Sequence, residues 1–150
     1  MVWKNKSKGG GCLVAEWTVP KTDWKQEDRF NIEDYNRIKN NLAYLHEKSV
    51  ELIKPFSIED MGEDLADYTQ YWDVGVFNAF EINLDRINAN AYRQEYGFKQ
   101  TFYENGKFPD YKEFNRIESA SLDIYNWIKR QEAGLRKIPF KLGRYKEVRI

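Results

Sequence analysis

The residues able to do chemistry are few, and their spacing limits what they could do. Glu59, Asp60, Glu63 and Asp64 set carboxylates one helical turn apart, as general acid–base catalysis would need if two of them crowded. The same spacing describes a solvated acidic helix face, which is the expectation here because no further catalytic group accompanies it. His46 is the single histidine and sits between Leu45 and Glu47, so it reads as a solvent-facing helix residue. The sequence has no Ser-His-Asp set with a nucleophile elbow, no phosphate loop and no His-x-x-x-His metal pair. Gly9-Gly10-Gly11 follows no strand and precedes no Lys-Ser, and Cys12 is the one cysteine, which excludes an internal disulfide and a cysteine-rich metal site. The reading is of a protein without catalytic, cofactor-binding or metal-binding residues.

The arginines offer more. Asn31-Ile-Glu-Asp-Tyr-Asn-Arg-Ile38 recurs as Asp110-Tyr-Lys-Glu-Phe-Asn-Arg-Ile117, and a weaker third copy reads Leu84-Asp85-Arg86-Ile87. Spacings of 49 residues from Asn36 to Asp85 and 30 from Asp85 to Asn115 argue against a regular solenoid and for a bundle with duplicated helices. Arg37, Arg86 and Arg116 fall beside the apolar stripes of those helices. Arg37 can pair with Glu33 or Asp34 and Arg116 with Glu113 at helical spacing, for about 0.3–0.5 kcal/mol per exposed pair. That is too little to explain a recurring Asn-Arg, so a second reading has each arginine cross to a neighbouring helix or subunit.

The elements that must position these groups begin with N-caps. Asn31 and Asp110 can accept from free backbone N–H groups, with Asp34 and Glu113 three residues on as in a capping box. Tyr35, Ile38, Leu42 and Leu45 then form one apolar stripe, Phe77, Phe80, Leu84, Ile87 and Ala91 a second, and Phe114, Ile117, Ser121, Ile124 and Ile128 a third. A shorter helix is expected from Ser57 through Ile58, Met61, Leu65, Tyr68 and Trp72, with breaks at Pro55, Gly97 and Gly134. The fold class is all-α, an irregular bundle of about four helices over residues 31–134. Residues 14–30, with Trp17, Pro20 and Trp24, read as an extended arm whose tryptophans need burial against the bundle or another chain. A partner chain is the favoured reading, because the stripes can cover one another. Residues 97–109, turning at Asn105-Gly106, read as a loop or short hairpin. Residues 135–150 are a basic tail, in which residues 138–142 alternate like a short strand.

The whole chain balances 24 basic against 24 acidic residues, so no global field draws it to DNA or a membrane, and no apolar run is long enough to span one. The charges are segregated instead. Residues 51–73 carry seven acids against one base and residues 129–150 eight bases against two acids, poles that can close within a chain or steer copies together. Residues 1–13 read as disordered or as a misassigned leader: Lys8-Gly9-Gly10 can be encoded by a ribosome-binding site at normal spacing before Val14. Ten Tyr, nine Phe and five Trp suit a core, an interface or a sugar-stacking surface.

With these residues in view, Trp17-x-x-Pro20-Lys-Thr-Asp-Trp24 followed by Asp28-x-Phe30-Asn31-x-x-Asp34-Tyr35-Asn36-Arg37-Ile38 resembles minor structural, tail-associated proteins of phages and prophages of low-GC Gram-positive bacteria. The resemblance covers residues 17–45 well and 108–126 in part. It implies a non-enzymatic virion component of a tail, baseplate or fibre attachment, made in the host cytoplasm and incorporated into the particle. Its expected partners are other virion proteins and further copies of itself. Trp17, Pro20, Trp24, Arg37, Arg86, Arg116, Phe140, Arg144 and Tyr145 are the candidate interface residues. Two other readings stand beside it: a host-surface carbohydrate or receptor bound by exposed aromatics, and nucleic acid bound by the basic tail.

Overall fold

A computed structural model of the chain describes residues 15–67 and 74–135. Three helices account for its regular structure: α1 (Ile32–Leu52), α2 (Val74–Asn90) and α3 (Tyr111–Leu135). The all-α expectation holds among the described residues, but with three helices. The extra helix expected from Ser57 is not formed over residues 57–67, and Tyr68 and Trp72 lie outside the described residues. Gly62, at φ +75°, has left the right-handed helical region. Side chains of α1 and α2 take the N–H and C=O groups that a helix would have used for itself.

The caps form as the motif requires. The Asn31 side chain accepts from the Asp34 N–H at 3.0 Å, while Asp34 accepts from the Asn31 N–H at 3.0 Å, closing a reciprocal capping box. Asp110 accepts from the N–H groups of Lys112 and Glu113 at 3.0 and 3.1 Å. Its expected box partner Glu113 turns instead to Arg116. Every residue of the three apolar stripes is buried except Ala91, which is half-buried. Ser121 lets its neighbours approach closely and spends its hydroxyl on the Ile117 carbonyl.

The helices run parallel. Arg37 meets Glu118, Tyr44 meets Tyr125 and Lys48 meets Glu132, so α1 and α3 climb in step. Phe77 of α2 lies against both Tyr35 and Phe114 near the three N-terminal ends. Parallel neighbours need connections that travel back the length of the bundle. Three non-helical straps do this: residues 15–31 before α1, the described part of 53–73 before α2, and 91–110 before α3.

Candidate functional site

Each helix start places an asparagine directly after a buried aromatic: Asn36 after Tyr35, Asn78 after Phe77, Asn115 after Phe114. All three side chains grip a strap by its backbone. Asn115 accepts from the Trp24 N–H at 2.7 Å and donates to the Trp24 carbonyl at 2.9 Å. Asn36 does the same for Leu65, and Asn78 for Phe102. Five residues on, Asn41 clamps Thr18 and Asn83 clamps Glu59 in the same bidentate way. The position five residues after Asn115 is Ala120. An amide side chain presents one donor and one acceptor at the separation of a residue's own N–H and C=O, so it satisfies an extended strap much as a neighbouring strand would.

These contacts place the straps in the grooves between helices. The first strap crosses from α1 at Thr18 to α3 at Trp24, and the second from α2 at Glu59 to α1 at Leu65. The third reaches α2 at Phe102, six residues beyond Tyr96, where register would have called for a clamp from Ala120. The Gln94 side chain donates to the Ala120 carbonyl at 2.9 Å instead, and Asn88 holds Gln94 locally. The structural repeat is thus Asn36, Asn78 and Asn115. Arg86 of the weak third copy stands outside it, on an exposed face, and bonds Glu59 at 3.0 Å.

A charge lies three residues after each asparagine: Lys39, Glu81 and Glu118, all buried. Glu118, 1% exposed, receives Arg37 from α1 through two hydrogen bonds of 2.7 Å, together with the Trp24 indole N–H at 2.6 Å and the Lys21 N–H at 3.1 Å. Glu81 receives Arg116 from α3, which also bonds Glu113. At Lys39 the pattern inverts. Ala79 stands where the other two helices carry arginine, and the counter-charge is Asp64 of the strap itself. A guanidinium beside that ammonium would repel it in a poorly solvated site. Burial lowers the pKa of both arginines, but their carboxylate partners outweigh it and hold Arg37 and Arg116 raised. Burial pushes the Glu81 carboxyl up despite Arg116.

The candidate interface residues therefore divide. Trp24 (4% exposed) and Pro20 are buried in their own molecule, and Trp17 stacks on Tyr125 at 4.1 Å, so the arm is not held out for another chain. The reason is that the helix stripes leave a groove between α1 and α3 which only the arm fills. Arg37 and Arg116 do cross to a neighbouring helix, as the second reading of them had it. Phe140, Arg144 and Tyr145 lie outside the described residues, as do the strand expected at residues 138–142 and residues 1–13. His46 is not a plain surface residue: its Nε2 lies 2.6 Å from the Phe56 carbonyl and its ring meets that of Phe56 edge-on, which anchors the start of the second strap. The four carboxylates at 59–64 lie on that strap and not on a helix face.

The third strap exposes what the others cover. Phe98 is 86%, Tyr103 70% and Phe108 48% exposed, around the turn where the Gly106 N–H donates to the Tyr103 carbonyl at 2.9 Å. Repetition of Asn after an aromatic was visible in sequence, and Phe77-Asn78 could have been found by that signal. The exposed aromatics carry no such mark. Among the described residues no group of His, Cys, Asp and Glu is placed to hold a metal, and no helix is long and apolar enough to cross a membrane. Comparison of the chain with protein-family models, with curated proteins and with solved structures gives no match.

Proposed function

We propose that this chain is a non-catalytic assembly protein, a structural component of a phage particle, acting through contacts made by its third strap. The observation that carries the reading is the third strap, where three aromatic side chains face solvent within residues 98–108 while polar groups of the helix faces are consumed in holding straps. Exposed aromatics gathered on one segment favour association with another protein surface. The resemblance of residues 17–45 to tail-associated proteins supports the setting.

Sedimentation velocity of the full chain over rising concentration tests the contact. F98A/Y103A should abolish association and leave the thermal midpoint within about 2 °C, because neither ring lies in the core. Unchanged association would remove the strap from the interface. Mass spectrometry of particles purified from an induced lysogen tests the setting, and absence of the chain from them would refute it. Carbohydrate stacking is the second reading that the same rings favour. It rests chiefly on Phe98 and Tyr103, since Trp17, Trp24, Tyr92, Phe108 and Trp127 all meet ring partners within the fold.

A further inference from the structure

At the end of the bundle where α3 begins, an open depression of about 390 Å³ lies between the first and third straps. Trp24 and Phe114 form its buried floor, Phe108 and Tyr111 edge it, and Asp28 and Asp110 are the charged residues that line it among the described residues. Lys21 reaches Asp28 at 3.0 Å and sets its ammonium 4.3 Å from the Trp24 ring centroid, so an incoming cation takes its place there; Lys107 reaches Asp110 at 3.5 Å, and its side chain is 76% exposed and readily displaced. Aromatic faces with carboxylates at the rim suit a segment in which long cationic side chains alternate with rings.

The chain contains such a segment. Residues 136–150 carry Arg136, Lys137, Lys141, Arg144, Lys146 and Arg149 against Glu147, with Phe140 and Tyr145 among them. That segment leaves α3 at the far end from the depression. From Tyr111 to Leu135 the helix spans about 36 Å at 1.5 Å per residue. Arg144, nine residues beyond Leu135, reaches at most about 32 Å even fully extended. The backbone of the chain's own Lys141 and Arg144 therefore falls short, and its Lys146 and Arg149 reach the depression only with the tail drawn out along α3, whereas a second copy's tail carries no such restraint.

We infer that residues 136–150 of one copy dock in the aromatic depression at the α3 start of the next, joining copies head to tail. This inference rests on the assembly reading and gives it a direction, since a heterologous contact builds rings or filaments and not closed twofold dimers. The mutual exclusivity of two half-defective copies tests it. The wild-type chain should form an open-ended series at low salt that shrinks in 0.5 M salt, where exposed charge pairs are screened. D28K in the depression and R144E/K146E in the tail should each weaken association by on the order of tenfold or more. F108A, which changes no charge, should do likewise. An equimolar mixture of D28K with R144E/K146E retains one intact depression and one intact tail, so it should give dimers and nothing larger.

A mixture that stays monomeric, or single variants that assemble like wild type, overturns the docking. If F98A/Y103A dissociates the protein while D28K and R144E/K146E do not, the assembly reading stands and this inference fails. A wild-type chain that is monomeric at every concentration refutes both. If R144E/K146E abolishes binding to duplex DNA and leaves self-association unchanged, the tail serves nucleic acid and the docking is again refuted.

Discussion

The groove between α1 and α3 and the groove between α2 and α3 are built from the same parts and put to different ends. In the first, two asparagines hold the strap six residues apart, and Glu118 gathers an arginine, an indole N–H and a backbone N–H into one buried centre. In the second, Ala120 leaves the upper part of the strap without its clamp. Glu81 pairs with Arg116 and is also held by the Gln100 backbone N–H, yet Arg116 Nη1 has no hydrogen-bond partner among the described residues. The first strap buries Trp24 and half-buries Trp17 and Phe30, whereas the third buries Phe102 and displays Phe98, Tyr103 and Phe108. A repeated unit can thus be a seal in one copy and a presenting surface in another.

The largest effect that would sharpen this contrast comes from Glu118→Ala. It removes two of the Arg37 guanidinium's hydrogen bonds, leaving it the Asp34 carboxylate at 2.8 Å, and strands the Trp24 indole N–H; breaking a buried pair in this way costs up to about 3–5 kcal/mol in chemical denaturation. A loss below about 1 kcal/mol would mean that water replaces the carboxylate and that the first groove is no better sealed than the third.

Next come the clamps. Asn41→Ala and Asn115→Ala each remove two hydrogen bonds to the strap and should cost about 1–3 kcal/mol. Ala120→Asn should work in the opposite sense. It supplies the missing amide, and slowed hydrogen exchange of the Tyr96 N–H is its expected signature. Exchange at Tyr96 that does not change would show that the third strap runs out of register with the other two.

Caps contribute less. Asn31→Ala should cost about 0.5–2 kcal/mol, and Asp110→Ala less within that range, since only Asn31 has a reciprocal box. Equal losses from the two would show that the returning bond from Asp34 contributes nothing. These starts were readable beforehand because a cap and its partner lie three residues apart along the chain, within reach of any local reading. The Arg37–Glu118 bond spans 81 residues and was not readable.

The smallest expected effect is one of pH. Burial raises the Glu81 carboxyl above its ordinary 4.5, so the folded chain holds this proton more tightly than the unfolded chain does. Unfolding then releases a proton, and the stability present below that ordinary value is lost as pH rises through the raised folded one. Glu47 shifts in the same direction, chiefly by burial, while Asp28 and Asp110 shift downward and weaken the fold only as pH falls below 3.8. The thermal midpoint should therefore decline modestly as pH climbs above 4.5, and Glu81→Gln should flatten the decline. A slope that survives in the variant would assign it to Glu47 and leave the two carboxylate centres alike.

Local order was within reach of the sequence. The apolar stripes of α1, α2 and α3, the caps at Asn31 and Asp110 and the Asn105-Gly106 turn all follow from spacing of four residues or fewer, where side chain and backbone meet without help from the rest of the chain. Only the tertiary structure decided what the segments between them do. The pattern at Ile58, Met61 and Leu65 fits a helix, yet Asn36 and Asn83 offer its backbone better-placed partners from two neighbouring helices. The arm with Trp17 and Trp24 fits an intermolecular anchor, yet a groove and the Glu118 carboxylate wait for it in its own molecule. Backbone hydrogen bonds must be satisfied somewhere, and periodicity says only where they could be satisfied locally. Where a distant amide competes, the outcome depends on which helices stand side by side, and no short stretch of sequence contains that information.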